Sequence, residues 1–299
     1  MSHRRILLTG ATGFVGRHMV QALLERGDQV VALSRGVGQG LPEEVQQCNL
    51  DLEDPASLAM LPRIWDGVIH LAGASIPSLF STPAPVIVNT KLTMNLLEHL
   101  RETKVLLVSS CHVYAPSEHR RREADLARPQ GRYGLSKVLT EQLAQFYQGR
   151  LDIRVARPFN HVGVGQRPEL MLPSLLKRLA STRRQEDAPI LMTGWNSIRD
   201  FIDVRDVVAA YLAILDLESP SHSVFNVCTG IGTSVEGLAR SVLDLLEMNR
   251  KVVFQGNPNS SDDVPYLVGD PGLLTETTGW KARHSLHSGL STMLQSINS

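Results

Sequence analysis

Short aliphatic runs alternate with longer amphipathic stretches along the first half of this chain, and this rhythm limits the folds available to it. The aliphatic runs are almost continuous, which is typical of strands covered on both faces of a parallel sheet: Arg5–Leu8, Gln29–Leu33, Gly67–Leu71, Val105–Val108 and Ile153–Ala156. Helical periodicity fills the intervals, at Phe14–Arg26, Pro55–Leu61, Val86–Glu102 and Tyr133–Gln148. Alternation of this kind predicts βαβ units and hence an α/β fold with a doubly wound parallel sheet.

The amino-acid composition limits the kinds of partner that we expect for this protein. Among 299 residues, 30 are Lys or Arg and 30 are Asp or Glu, so the formal net charge is +0. Nucleic acids and anionic membranes attract basic proteins, so neither is expected as the main partner. No apolar run approaches the roughly 18–20 residues of a membrane span, and the three cysteines lack the spacing of a disulfide framework or a zinc site. We therefore expect a cytoplasmic protein without a metal site.

A glycine-rich segment lies between the first predicted strand and the first predicted helix. It reads TGATGFVG over residues 9–16, with GxxGxxG spacing. In a dinucleotide site one glycine makes a tight turn, a second lets the backbone approach the pyrophosphate and a third lets the helix pack on the strand, while the helix N-terminus offers free N–H groups. An ordinary strand–helix turn is the plain alternative. The predicted cofactor contacts in this segment are Gly10, Thr12, Gly13, Phe14, Val15 and Gly16.

The end of the second predicted strand bears on the choice of cofactor. Sites for NAD usually place Asp or Glu there, to accept the ribose hydroxyls. This chain has Ser34 and Arg35 instead, and an arginine can pair with a 2′-phosphate. We predict that the cofactor is NADP(H), with NAD(H) as the alternative, although a solvated surface arginine would give the same sequence.

Tyr133 and Lys137 are four residues apart on a predicted helix and therefore share one of its faces. A nearby positive charge lowers the pKa of a tyrosine, which would make Tyr133 an acid or base near neutral pH. Lys137 could also hold the nicotinamide ribose. Upstream, Ser109 and Ser110 follow the C-terminal end of a predicted strand, where open α/β sheets place their sites.

The order GxxGxxG, then serine, then YxxxK resembles the extended short-chain dehydrogenase/reductase family, of the NAD-dependent epimerase/dehydratase type, along nearly the whole chain. The resemblance implies catalysis by Ser110, Tyr133 and Lys137, with Ser109 as the alternative hydroxyl. It also implies a homodimer formed through the helix near Val86–Glu102 and the helix that carries Tyr133. Further cofactor contacts implied by the resemblance are Asp51, Leu52, Leu71, Ala72, Gly73, Asn89, Ser109, Tyr133, Lys137 and Pro158.

A change in the alternation of strands and helices divides the chain into a dinucleotide-binding Rossmann domain and a smaller lobe. We predict that the Rossmann domain spans residues 1–167 and that a substrate-binding lobe spans residues 168–299, with residues 200–230 returning to the Rossmann sheet. Proline and glycine residues interrupt the regular alternation where the two parts join. In the second part, helices are predicted at Pro173–Ala180, Val204–Leu217 and Ser234–Leu246.

Two further features concern the reaction. Dehydratases of this family carry an acidic residue directly after the catalytic hydroxyl, whereas Cys111 and His112 stand there in this chain. The segments Ala156–Gln166 and Ile198–Val207 resemble those of family members that reduce GDP-linked 4-keto-6-deoxymannose. That resemblance implies substrate contacts at Ser110, Tyr133, Asn160, Lys177 and Arg199, with Arg199 pairing with the diphosphate. In one departure, Ser260 stands where those reductases have an arginine.

These observations predict an NADPH-dependent reductase that acts on the C4 keto group of a nucleotide-linked 4-keto-6-deoxyhexose. The predicted substrate is GDP-4-keto-6-deoxy-D-mannose, and the product a GDP-deoxyhexose such as GDP-D-rhamnose. A nucleotide-sugar 4-epimerase with tightly bound NAD would use the same residues. A non-catalytic regulator that senses dinucleotides is a second alternative, because fold alone does not fix function.

Overall fold

The computed structural model describes residues 4–36, 40–181, 189–193, 196–218, 221–249, 251–255 and 265–298. Ser260 and the two aspartates that follow it closely, Asp262 and Asp263, lie outside the described residues.

A seven-stranded parallel sheet forms the centre of the molecule. Its strands are β1 (Arg5–Thr9), β2 (Gln29–Ser34), β3 (Gln46–Asn49), β4 (Gly67–His70), β5 (Lys104–Val108), β6 (Asp152–Pro158) and β10 (Val224–Val227). They are ordered β10-β6-β5-β4-β1-β2-β3, and every neighbouring pair is parallel. The predicted α/β fold with a doubly wound parallel sheet is confirmed.

Helices cover both faces of this sheet. On one face lie α1 (Phe14–Glu25) and α6 (Val204–Leu215), and on the other lie α2 (Pro55–Leu58), α3 (Ala84–His99) and α4 (Arg132–Tyr147). Successive side chains of a strand point to opposite faces, so in β1 Ile6 and Leu8 join the core on the first face while Leu7 joins the second. Each fully buried aliphatic side chain contributes roughly 1.5–3 kcal/mol to folding.

The predicted helix Pro55–Leu61 is wrong at its end, because α2 stops at Leu58. Pro62 follows Leu61, and a residue that precedes proline is disfavoured in the helical region. After Leu58 the backbone forms turn hydrogen bonds instead, such as the 2.9 Å bond in which the Leu61 N–H donates to the Leu58 carbonyl.

The second part of the chain adds two small sheets. One contains β7 (Asn160–Val162), β9 (Ile198–Asp203), β11 (Gly232–Ser234) and β13 (Tyr266–Leu267), and the other pairs β8 (Ile190–Thr193) with β12 (Val252–Gln255). Within the described residues of this part, four helices are present: α5 (Met171–Ser181), α7 (Val235–Leu245), α8 (Gly272–Thr278) and α9 (Leu286–Asn298).

Residues 200–230 divide between the two parts. The helix α6 packs on the main sheet and β10 forms its edge beside β6, whereas β9 belongs to the small sheet. The domain division near residue 167 stays a prediction. Among the described residues, none of the helices combines the length and apolar character that a membrane crossing needs.

Candidate active site

The glycine loop between β1 and α1 is packed so tightly that side chains would not fit at two of its positions. Gly10 has a φ of +74°, in the left-handed region, and a Cβ atom there would lie 2.9 Å from the Ala72 backbone nitrogen. A Cβ atom on Gly16 would lie 2.1 Å from the Gly10 carbonyl oxygen. The loop therefore turns sharply against the segment after β4, and α1 packs directly on the turn.

The N-terminus of α1 presents backbone donors at this turn. Gly13 is the N-cap residue, so it supplies no side-chain cap, and the first turn of α1 contains no acidic residue. The first N–H groups of a helix lack intrahelical partners and carry positive partial charge. Such an end fits a pyrophosphate, so Gly10, Gly13 and the first residues of α1 could hold that part of a dinucleotide.

The end of β2 carries the residues predicted to choose between cofactors. The Ser34 hydroxyl donates to the Gly36 carbonyl at 2.6 Å. The Arg35 side chain is 73% exposed, and its guanidinium lies 3.6 Å from the Glu53 carboxylate. An exposed pair of this kind is weak, so Arg35 can turn toward a ligand at small cost.

The other residues predicted on the adenosine side lie just after β3. The Asp51 carboxylate accepts a hydrogen bond from the Glu53 backbone N–H at 2.9 Å. Leu52 is buried, and its carbonyl accepts from the Asn95 amide at 2.8 Å. This turn is therefore fixed by hydrogen bonds before any ligand arrives.

Asn89 on α3 holds the loop after β4. Its side chain accepts from the Ala74 N–H at 2.7 Å and donates to the Ala74 carbonyl at 3.0 Å. A Cβ atom on Gly73 would lie 3.0 Å from the Asn89 side-chain oxygen. The Thr9 hydroxyl accepts from the Ala72 N–H at 3.1 Å. These contacts, with the Leu71 N–H donating to the Thr9 carbonyl at 3.2 Å, tie this loop to the end of β1.

The three side chains predicted to be catalytic meet where β5 ends against α4. The Lys137 nitrogen lies 5.9 Å from the centre of the Tyr133 ring and donates to the Val108 carbonyl at 3.0 Å. Ser110 caps the short 3₁₀ turn Cys111–Val113, and its hydroxyl also interacts with the Tyr133 phenol. Their roles stay a prediction, but their proximity gives one carbonyl oxygen access to two hydroxyl groups.

This cluster adjoins the glycine loop through a buried histidine. His70, the last residue of β4, shares a 2.8 Å hydrogen bond with the hydroxyl of Thr9, the residue before Gly10. Burial, with the nearby charge of Lys137, lowers the pKa of His70 to about 3. His70 is therefore neutral at pH 7 and bridges the cofactor loop to the Lys137 side of the site.

Burial sets the protonation of the Tyr133–Lys137 pair. It raises the pKa of Tyr133 to about 12, and the nearby Ser110 hydroxyl opposes this rise. It lowers the pKa of Lys137 to about 8, while the charge of Glu141 opposes that change. The expectation of a lowered tyrosine pKa is therefore wrong, because desolvation of the phenolate dominates. At neutral pH Tyr133 keeps its proton and Lys137 is mostly charged.

The two neighbouring serines have different surroundings. The Ser109 side chain is buried, and its hydroxyl hydrogen-bonds to the Glu141 carboxylate. Glu141 is in turn paired with Arg157, whose terminal nitrogen lies 2.6 Å from it. Because this network engages Ser109, Ser110 is the better placed of the two to meet a substrate oxygen.

His112 lies two residues after Ser110, in the 3₁₀ turn Cys111–Val113. Its ring centre is 5.6 Å from that of Tyr133, in an edge-on arrangement. Desolvation of the ring, with the charge of Arg199, lowers the pKa of His112 to about 4. An uncharged imidazole therefore lies beside Tyr133 at neutral pH.

Arg199 and Asn160 lie on the neighbouring strands β9 and β7, and the Asn160 amide donates to the Asp200 carbonyl at 3.3 Å. The Asp200 carboxylate accepts from the loop after β10, and that of Asp203 pairs with Arg205 at 2.7 Å. The charge of Arg199 acts on His112, so the two side chains lie near each other.

The remaining predicted residues are less central. Pro158 is buried at the end of β6. Lys177 is exposed on α5, and no described contact joins it to the Tyr133 cluster. Sequence reasoning missed Glu141 and Arg157 as parts of the site. Glu141 follows Lys137 by one helical turn, which was a signal, but its partner lies on another element.

Comparison with known proteins gives consistent matches over the whole chain. The model of the NAD dependent epimerase/dehydratase family matches residues 6–228. A GDP-6-deoxy-D-mannose reductase from Pseudomonas aeruginosa is 32% identical over 305 aligned residues, which cover 97% of this chain and 96% of the relative.

Two solved structures are similar in fold. A structure of RMD from Pseudomonas aeruginosa complexed with NADPH has a TM-score of 0.80 and 27% identity, covering 98% of each chain. A structure of MoeE5 in complex with UDP-glucuronic acid and NAD has a TM-score of 0.84 and 28% identity, covering 98% of this chain and 99% of that one. Both forms of nicotinamide dinucleotide thus occur among the structural relatives.

Proposed function

Because this chain belongs to the NAD-dependent epimerase/dehydratase family, we propose that it reduces the C4 keto group of a nucleotide-linked 4-keto-6-deoxyhexose with NADPH. The proposed substrate is GDP-4-keto-6-deoxy-D-mannose, and the proposed product is a GDP-deoxyhexose such as GDP-D-rhamnose. Its relatives make it an NAD(P)-dependent oxidoreductase of nucleotide sugars. The keto sugar, the direction of the reaction and the preference for NADPH are the proposed parts.

This proposal rests on one observation: three side chains, those of Ser110, Tyr133 and Lys137, lie close together beside the glycine loop. Two hydroxyl groups and one ammonium group converge at the C-terminal edge of the sheet, where open α/β folds bind ligands. Tyr133 holds its proton at neutral pH, as a donor to a carbonyl oxygen must. The absence of a carboxylate at Cys111 and His112 favours reduction over dehydration.

The chemistry follows from these positions. When bound, the nicotinamide supplies the hydride that adds to the C4 carbon. Tyr133 donates its proton to the C4 oxygen, and Ser110 orients that oxygen with a hydrogen bond. Both contacts strengthen as negative charge develops on the oxygen, which lowers the barrier. The Lys137 charge stabilises the phenolate left on Tyr133, so the carbonyl gains one hydride and one proton in total.

The sugar diphosphate would lie beside Arg199, because a planar guanidinium matches the oxygens of a phosphate. The charge of Arg199 already acts on His112, two residues from Ser110, so a diphosphate there would be close to the reacting sugar. We propose Asn160 on the neighbouring strand as a second contact and Lys177 as a third.

The test supplies the protein with NADPH and freshly made GDP-4-keto-6-deoxymannose, follows nicotinamide absorbance and identifies the sugar. One NADPH consumed for each GDP-deoxyhexose formed would support the proposal. If the cofactor binds but no NADPH is consumed, the assignment of this substrate would be overturned. Interconversion of C4 epimers of a nucleotide sugar without net loss of NADPH would instead identify a 4-epimerase, and binding of the dinucleotide without any turnover would favour a regulator.

Replacing Arg35 with alanine is expected to weaken NADPH binding by about 10- to 100-fold, as expected for loss of a charge-assisted contact worth roughly 1.5–3 kcal/mol. NADH affinity should stay unchanged, since NADH lacks the 2′-phosphate. Both affinities can be measured by fluorescence titration. Arg240→Ala is the matched control, because Arg240 is also exposed and paired with a carboxylate, but on α7. Equal losses for both cofactors would contradict the assignment.

We also propose that the chain forms a homodimer through α3 and α4. These helices pack against each other and expose large apolar side chains, among which Phe146 is 80% exposed. Such side chains are typical of surfaces that bind another protein. The exposed residues on the two helices are Ile87, Met94, Leu135, Leu139 and Phe146.

Replacing Leu139 with glutamate should convert the dimer into a monomer, because it would place a charge within the apolar surface. Analytical ultracentrifugation of the native chain and the variant measures this directly. Leu126→Glu is the control, since Leu126 is exposed outside both helices. A native chain that sediments as a monomer would disprove the proposed dimer.

A further inference from the structure

Three consecutive residues at the end of β5 each bind a different side chain of α4. Val108 accepts from Lys137, Ser109 donates to Glu141, and the Ser110 hydroxyl interacts with the Tyr133 phenol. The three α4 residues are spaced four apart, so they form one stripe along a helix face. The relative position of Ser110 and Tyr133 therefore depends on the two contacts beside it.

Glu141 is the most constrained member of this stripe. One carboxylate oxygen accepts from the Arg157 Nε at 3.0 Å and from the Ser109 hydroxyl, and the other accepts from an Arg157 terminal nitrogen at 2.6 Å. The side chains of Glu141 and Arg157 are each only 7% exposed. Arg157 is held in turn by the Tyr114 hydroxyl at 2.8 Å, so the carboxylate has a fixed position.

A charged pair at this depth is not explained by stability alone. Removing two charges from water costs several kcal/mol for each ion, and well-packed apolar side chains often replace such pairs without loss of stability. The pair instead lies one helical turn from Lys137, whose charged form the Glu141 carboxylate favours against the effect of burial.

We infer that Glu141 is a positioning residue for the Tyr133–Lys137 pair: it fixes the end of β5 through Ser109 and keeps a negative charge beside Lys137. The inference rests on the proposed function of Tyr133 and Lys137 in reduction. Glu141 would not touch the substrate, since Arg157 and Ser109 surround its carboxylate.

Other groups that titrate or carry charge surround the pair on the neighbouring elements. The imidazole of His70 is neutral at pH 7, since its pKa is about 3, and it faces Lys137 from β4. The remaining groups face the pair or its immediate neighbours from the main sheet, the small sheet, α6 and the segment after β5: Arg157, Arg199, Tyr211, Cys111, His112, Tyr114 and Glu123. Among the described groups that act on Lys137, Glu141 supplies the negative charge.

The sign of the effect follows from charge. Glu141→Gln keeps the shape and acceptor oxygen of the side chain but removes its negative charge. The ammonium form of Lys137 then loses stabilisation, so the pKa of Lys137 should fall below about 8. As the pH is raised, the activity of the variant should therefore begin to fall about one pH unit lower than that of the native enzyme.

The experiment measures Lys137 directly and needs no substrate. The chain has six lysines, so protein labelled with ¹³C-lysine gives few side-chain signals, and Lys137→Arg identifies that of Lys137 by its disappearance. We expect its titration midpoint to fall by about one pH unit in Glu141→Gln. An unchanged midpoint would overturn the inference. A shifted midpoint in a protein that reduces no nucleotide sugar would support the charge effect while refuting the proposed function.

Two further variants separate positioning from folding. Asp28→Asn removes a buried carboxylate that is paired with Arg4 and Arg26 at the other end of the sheet, so it should lower stability without moving the Lys137 midpoint. Ser109→Ala keeps the ion pair but cuts the contact to β5, and should lower kcat with the midpoint unchanged. If Glu141→Gln does not fold, unchanged kcat in Ser109→Ala together with unchanged kcat in the charge-conserving Glu141→Asp would overturn the inference.

Discussion

Tyr133→Phe is expected to lower kcat by about 10²- to 10⁴-fold, the usual contribution of a positioned general acid. The substitution removes the phenolic proton that would pass to the C4 oxygen but leaves the ring in its packing against Phe80 and His112. NADPH affinity should stay within about twofold, because the glycine loop is untouched. Single-turnover kinetics with GDP-4-keto-6-deoxymannose, beside a fluorescence titration with NADPH, measures both quantities.

Tyr147→Phe is the matched control for this prediction. Tyr147 lies at the last turn of the same helix, where its hydroxyl interacts with Glu98 on α3, far along the helix from Lys137. Its loss should leave kcat unchanged. A Tyr133→Phe enzyme with native kcat would mean that another group donates the proton, and Lys137 would then be the first candidate, since it is mostly charged at neutral pH and adjoins Tyr133.

Gly16→Ala should abolish NADPH binding under ordinary assay conditions. The new Cβ atom would lie 2.1 Å from the Gly10 carbonyl oxygen and 2.8 Å from the Ala11 carbonyl carbon, and both are backbone atoms. The start of α1 must therefore move away from β1, which displaces the N–H groups that would receive the pyrophosphate. Overpacking of this kind typically costs about 1–3 kcal/mol of folding stability. A fluorescence titration with NADPH and a thermal melt measure the two effects.

Gly149→Ala provides the control for the glycine substitution. A Cβ atom at Gly149 would meet nothing within 4 Å, and this glycine lies just after α4, away from the cofactor loop. The control should bind NADPH as the native chain does. Native affinity in Gly16→Ala would show that the helix N-terminus does not hold the pyrophosphate.

The sequence was most informative where apolar patterning is strong. The five buried strands predicted in the first half appear within a few residues of their expected bounds, because both of their faces are covered by helices. Strand β3 was missed, since its residues Gln46–Asn49 are mostly polar and it lies at the edge of the sheet. Five short strands of the second part, β7, β9, β11, β12 and β13, were also missed, because they pair with partners distant in the chain.

The candidate site, like the fold, could be predicted only in part from the sequence. Spacing along one helix predicted that Tyr133 and Lys137 share a face, which the structure has. Spacing could not predict the direction of the Tyr133 pKa, because that depends on burial by elements distant in sequence. It also left Ser109 and Ser110 as alternatives, and only the contact of Ser109 with Glu141 separates them.

The position of β10 has a consequence for how the polypeptide reaches its native state during synthesis. This strand completes the main sheet beside β6, yet more than sixty residues of the second part separate the two in the chain. Until β10 leaves the ribosome, β6 has one edge with unpaired backbone groups, and such an edge can pair with another chain. A fragment that ends near residue 167 would keep that exposed edge and lack α6, so we expect the nascent chain to be most prone to aggregation before residue 227 emerges.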